Sequence, residues 1–229
     1  MRSGDPIPSA PESFNQQDVR ETTREMAVQT RPSGSIVKSL NVRPVAGSIV
    51  RDIIQRRHYL HAMPSAPSAC FGVYLSGELH GAVVFTPGAR LGHRLLRGAH
   101  PAHVVTLARV WLSDDLPKNS ESRVLGIVLR TVRHSTPWKL ILSYADPAAG
   151  HAGIIYRASG WHDLGQTEPS AYIDLGDGRL HHPRTVFTWF GTNSIPHLRA
   201  TGVPARRVHV PGKHRFAYVL DPTWRWRLG

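Results

Sequence analysis

The chain has 229 residues, a length that suits one α/β domain with some tail, and its 41% hydrophobic content excludes wholesale disorder. Lys and Arg number 28 against 16 Asp and Glu, a formal charge of +12 that attracts polyanions, nucleic acid first among them. A single cysteine, Cys70, excludes an internal disulfide and a cysteine-based zinc cluster. With no apolar run of membrane-span or secretory-signal length, a soluble protein in a reducing cytoplasm is expected.

Residues 1–35 are rich in Pro, Ser, Gln and charge and read as a mobile tail; residues 36–229 read as one domain with a basic C-terminal segment. Ala46 to Arg57 carries Ile49/Ile53 and Val50/Ile54 four apart, the pattern of an amphipathic helix that runs into His58-Tyr59. Cys70–Leu75 and Leu79–Thr86 form a hairpin around Ser76-Gly77-Glu78, and a basic Gly-containing loop follows. His103–Leu112 is a buried strand; Ser120–Arg133 is a helix with Glu121 in its first turn. Lys139–Ala145 is the next strand and Gly150–Ser159 a short helix. Ala171–Leu175, Thr185–Trp189 and Arg215–Leu220 are expected as closing strands. This order fits a central sheet with helices on both faces.

Four stretches carry chemistry-bearing residues. The run Lys118-Asn119-Ser120-Glu121-Ser122-Arg123 opens a helix after a strand, where free amides form an anion site; a plain helix cap is an equal reading. Asp146 stands where a buried strand ends, the position at which open α/β sheets hold ligands, although a turn residue is the commoner role. His58 closes the first helix, as a base, a metal ligand or a favourable C-terminal charge. Lys213-His214-Arg215, followed by Trp224-Arg225-Trp226-Arg227, interleaves basic and aromatic residues as a nucleic-acid surface or as an ordinary solvated edge.

Taken in order, His58-Tyr59, Leu107 to Trp111, Pro117 to Arg123, Ser143 to Asp146, Gly150-His151, Tyr156 and Lys213-His214-Arg215 resemble the phage Mom family of adenine-modifying proteins. The resemblance covers roughly Val42 to Leu220. It implies a GNAT-like α/β fold, with a mixed sheet splayed between the strands ending at Leu112 and Tyr144. It also implies conversion of the adenine N6 amine in DNA to an N6-carbamoylmethyl form that resists restriction enzymes in the infected host's cytoplasm. His58, Tyr59, Asp146 and Tyr156 match the family's active-site positions, and Arg109, Lys118, Asn119, Ser120 and Ser122 its cosubstrate cleft. Lys213, His214 and Arg215 are the expected DNA contacts, with the target adenine flipped out of the duplex. Iron is the metal the resemblance suggests, with His58 and Asp146 as ligands and Tyr59 or His151 completing the set. Acetyl-CoA does not carry over, because the Asn119–Arg123 run lacks the glycines of the usual pyrophosphate loop; the donor is a small molecule of unassigned identity. A conventional N-acetyltransferase and a non-catalytic DNA-binding protein are the alternative classes.

Overall fold

The structure, a computed structural model, describes residues 39–229. The expected tail, residues 1–35, lies outside the described residues. A seven-stranded sheet takes the order β1-β2-β3-β4-β5-β10-β6. Its strands are β1 (Asn41–Pro44), β2 (Ala69–Leu75), β3 (Glu78–Pro87), β4 (Val104–Leu112), β5 (Leu140–Ala145), β6 (His162–Gln166) and β10 (His214–Val219). Every neighbouring pair is antiparallel except β4 and β5, which run parallel. The β2–β3 hairpin turns on Ser76 and Gly77, both at positive φ, the geometry that a two-residue hairpin loop requires.

Alternation along each strand divides the core into two faces. Helix α1 (Gly47–Arg57) buries Val50 and Ile54 against Cys70, Ala82 and Val84 on one face. Helix α2 (Ser120–Ser135) buries Val124, Val128 and Val132 on the other, against Val83, Phe85, Val105 and Ile141. Full burial of side chains such as Phe85, Leu125 and Phe216 contributes about 1.5–3 kcal/mol each, so this two-sided packing fixes the sheet. The mixed sheet with helices on both faces is the architecture expected from the sequence.

The β4–β5 ladder is short. It runs from Val104↔Leu140 to Leu107↔Ser143 and stops there, although β4 continues along β3 to Leu112. Beyond Leu107 the two parallel strands part, as the expected splay requires.

A second sheet, β8-β7-β9, is built from β7 (Ser170–Asp174), β8 (Leu180–His181) and β9 (Arg206–Val210). Helices α4 (Pro183–Phe190) and α5 (Ile195–Ala200) bury Val186 and Leu198 against Ile173 and Ala205. The expected strand Thr185–Trp189 is thus corrected: it lies inside α4. Pro183 sits at the first helical position, the His182 ring accepts the Arg184 N–H, and Gly191 at φ +69° ends the helix. The helix expected over Gly150–Ser159 contracts to α3 (Ile154–Ala158), because Gly150 and Gly153 both take positive φ. At Gly153 a side chain is also excluded sterically, since a Cβ would meet the Phe216 ring.

Candidate active site

The end of α1 delivers the first two site residues. His58 is the residue after the last helical turn, its N–H bonded to Ile54 O at 3.2 Å. Its ring is buried, and Nδ1 accepts the Leu60 N–H at 3.1 Å. Burial, with the Arg109 guanidinium and the His151 and His61 rings nearby, pushes the imidazole down to about 4. The ring is therefore neutral near pH 7, with its proton on Nε2 because Nδ1 is occupied as an acceptor. Tyr59 stacks on His58 at 4.6 Å between centroids, and its other neighbour is His151 at 4.7 Å. Burial raises the Tyr59 phenol, Lys213 and Arg109 oppose that shift, and Asp146 and Tyr172 reinforce it.

The splay delivers the next group. Leu107 is the last β4 residue paired with β5, so its carbonyl stands where the ladder ends. Ser143 Oγ lies 3.0 Å from that carbonyl and 2.8 Å from the Tyr156 hydroxyl. A carbonyl only accepts, so the serine proton goes to Leu107 and the Tyr156 phenol donates to Oγ. This three-residue chain satisfies a carbonyl that the parting strands would otherwise leave bare. Tyr156 is buried on α3 between Trp161 and Phe216, and burial raises its phenol, which stays protonated.

These groups open into one cavity of about 450 Å³. His58, Tyr59 and His151 line it, with Trp111 from β4, Tyr144 from β5 and Tyr156 from α3. Tyr156 belongs to the core on the α2 face, whereas His58 follows the helix on the α1 face. They meet because the sheet itself is open between β4 and β5. A volume of this size is within the range of small-ligand sites, about 300–1,000 Å³.

Asp146 stands beside this cavity rather than in its lining. Its Oδ1 accepts the Ala148 N–H at 3.0 Å, and its Oδ2 pairs with Lys213 Nζ at 2.9 Å. Desolvation alone lowers the Lys213 ammonium. The Asp146 hydrogen bond, with Tyr172 and Tyr59 nearby, outweighs it, and the net shift is upward. Lys213 is held in place through its backbone, N–H to Thr167 Oγ1 at 2.9 Å and carbonyl to the Thr167 N–H at 2.9 Å. Gly212 permits that approach, because a Cβ there would collide with the Thr167 carbonyl.

The expected cosubstrate residues separate. Arg109 turns toward the loop after α1, donating from Nε to Ala62 O at 3.0 Å, and burial lowers its guanidinium. Lys118 and Asn119 are exposed, and Asn119 takes φ +70°. Ser120 is buried, with its hydroxyl on Pro117 O at 2.6 Å. Ser122 lines a different cleft, of about 330 Å³, with Arg130 and Arg133. Within this run it is Glu121 that faces the main cavity. Of the expected DNA contacts, Lys213 is committed to Asp146, His214 is half-buried at the start of β10, and Arg215 reaches Leu164 O at 3.4 Å. Tyr172, from the second sheet, is a neighbour of Lys213 and Tyr59 that sequence reasoning missed. Its approach is purely tertiary, with no local motif to signal it.

The two residues suggested as iron ligands, His58 and Asp146, both have protein partners. His58 Nδ1 is occupied by Leu60, its Nε2 carries the proton, and both Asp146 oxygens are engaged. Among the described residues no three His, Cys, Asp or Glu side chains are grouped for a metal.

Comparison with known proteins settles the family. The family model described as the Mom protein family matches residues 39–229, which is most of the chain. The chain belongs to the Mom protein family. The methylcarbamoylase mom of Escherichia phage Mu is 28% identical to this Mom-family chain over 238 residues, covering 95% of each. Among solved structures, a spermidine N-acetyltransferase from Vibrio cholerae covers 82% of this chain and 98% of its own, at TM-score 0.49 and 9% identity. An N-acetyltransferase from Staphylococcus aureus Mu50 covers 79% of this chain and 97% of its own, at TM-score 0.44 and 11% identity. No helix among the described residues is long and apolar enough to cross a membrane.

Proposed function

We propose that this Mom-family chain is a DNA-modifying transferase that converts the adenine N6 amine to its N6-carbamoylmethyl form and so protects DNA from restriction enzymes. The observation that carries the reading is the junction of a neutral histidine and two tyrosines from opposite faces of the sheet in one cavity at the β4–β5 splay. The +12 charge supports a polyanionic substrate, and the name of the phage Mu relative supports the reaction class.

The adenine amine is a weak nucleophile because its lone pair is delocalised into the ring, and duplex DNA hides it. The base leaves the helix and enters the cavity, where Tyr59 and Trp111 offer aromatic faces for stacking. The neutral His58 and the Tyr59 phenol orient its edge. Asp146, held by Lys213 beside Tyr59, accepts the N6 proton as the new N–C bond forms and the donor's leaving group departs. Tyr156 acts as a positioning residue through Ser143. The small-molecule donor approaches from the start of α2, where Glu121 faces the cavity. Residues 36–229 are the modification domain, and the reaction takes place in the cytoplasm of the infected bacterium.

Mass spectrometry of nucleosides from cells expressing the chain tests this directly. A carbamoylmethylated deoxyadenosine, absent from cells with an empty vector, is the expected product. Unmodified nucleosides together with retained DNA binding would instead mean a non-catalytic DNA-binding protein. Acetyl transfer from acetyl-CoA to a free amine would mean a conventional acetyltransferase.

A further inference from the structure

Helix α4 is more apolar than its packing requires. Val186 is its buried residue, yet Phe187, Trp189 and Phe190 are 55%, 57% and 44% exposed. At 100° per residue Phe190 and Phe187 lie on one side of Val186 and Trp189 on the other, so exposed aromatic rings border the buried stripe along both edges. Large exposed apolar patches of this kind mark interaction surfaces.

The surroundings are basic. Arg184 on α4, Arg179 ahead of β8 and Arg207 on β9 are exposed. The acids of segment 170–212, Asp174 and Asp177, are engaged with Arg206 and His181, each at 2.7 Å. The position is also specific. The Tyr172 ring, a neighbour of Tyr59 and Lys213, touches His182, the residue that opens α4, at 5.8 Å between centroids. Trp189 meets His181 at 5.0 Å, which holds the aromatic face over the second sheet.

We propose that the aromatic face of α4 is a DNA-docking surface, whose rings stack on bases left unpaired beside the adenine that enters the cavity. The proposal rests on the DNA-modification reading above. Aromatic rings among guanidinium groups match the two components of nucleic acid, stacking on base faces and attracting phosphates. A second copy is the poorer occupant, because it carries the same +12 charge and repels. The C-terminal aromatic–basic run differs in the partners its rings already have and in its place in the fold. Arg97 and Arg227 lie over Trp226 and Arg227 over Trp224, so these rings already carry guanidinium partners, although Trp226 stays 65% exposed. Trp224 also packs on His103, just before β4, at the end of the strands opposite the splay.

Fluorescence anisotropy with the full chain tests the assignment, using a duplex, the same duplex with a bulged adenine, and a single strand. Changing both Phe187→Leu and Trp189→Leu keeps the apolar area but removes the π faces. It is expected to weaken binding to the bulged and single-stranded probes by roughly 5- to 100-fold per stacked base, and to the paired duplex by less. Trp226→Leu is expected to leave all three affinities unchanged. Equal affinity of the double variant and the unmodified chain overturns the proposal. So does an unchanged affinity with a shift from dimer to monomer in sedimentation, which assigns the face to a second copy. Absence of binding by the unmodified chain to every probe overturns the modification reading itself, and this proposal with it.

Discussion

The β4–β5 pair has two ends made from the same two strands, and they are held in different ways. At the closed end, Val104 to Leu107 pair with Leu140 to Ser143 through the backbone, and Leu96, Val104, Leu140 and Val219 pack into a buried hydrophobic cluster. Lys139 ties that end to Asp221 at 3.0 Å, where Asp221 begins the last turn of the chain. At the open end the ladder is replaced by side chains: Ser143 on the Leu107 carbonyl, Tyr156 on Ser143, and Lys213 on Asp146. Polar groups that complete a fold at one end of a strand are thus freed at the other to surround a cavity. The lesson is that the open end depends on a few hydrogen bonds, whereas the closed end depends on area buried.

The largest expected effect separates the two ends by chemistry. Asp146→Asn keeps the shape of the turn but loses the basic oxygen, and the modified-adenine yield is expected to fall by about 10²–10⁴-fold while thermal unfolding barely moves. Full restriction protection of a plasmid by this variant, at matched soluble level, would make Asp146 a turn residue alone.

A pH dependence comes next. His58 is depressed to about 4 in the folded chain against an ordinary 6.5, so the unfolded chain binds more protons in that window. Stability is fully present above pH 6.5 and declines as pH falls toward 4, by at most roughly 3 kcal/mol. His58→Gln is expected to flatten this stretch of a melting-temperature profile, and an unaltered slope would show that His58 is not its source.

Smaller again are the splay bonds. Ser143→Ala strips the partner from both the Leu107 carbonyl and the Tyr156 phenol, at a cost of about 1–3 kcal/mol, and Tyr156→Phe costs about 1 kcal/mol. A double-mutant cycle in denaturant should show the two coupled; additive losses would mean the hydroxyls act separately. The smallest effect is at the closed end. Bonds from the Thr223 hydroxyl and from Lys139 hold the Asp221 carboxyl near 2, so its contribution is present above the ordinary 3.8 and lost as pH falls toward 2. The pair is partly exposed, and Lys139→Met is expected to cost about 1 kcal/mol or less and leave the modification yield intact. A loss of yield would contradict the division between the ends.

The same contrast explains what the sequence made legible. Strands β2 to β5 and helices α1 and α2 are long enough for alternation or helical spacing to identify them, because burial on one or both faces imposes the pattern. The second sheet is legible only at its central strand, β7, expected over Ala171–Leu175. Beside it Arg206–Val210 offers only Val208 and Val210 in alternation, and in the main sheet the five residues His162–Gln166 are mostly polar. Val186, Phe187, Trp189 and Phe190 suit a strand by residue type, and only Pro183 and Gly191 mark the helix. At the site, His58, Tyr59 and Tyr156 do converge, as the motifs implied. The Asp146–Lys213 pair joins residues distant in sequence, and no local spacing signals such a contact.

The most direct test of the account is a crystal structure of the chain with a duplex oligonucleotide containing a target adenine. The account predicts an extruded adenine in the cavity between β4 and β5, stacked on Tyr59 or Trp111, with its N6 edge toward His58 and Asp146. An adenine bound at the closed end, beside Trp224 and Arg227, or a fully stacked duplex in a complex competent for modification, would contradict it.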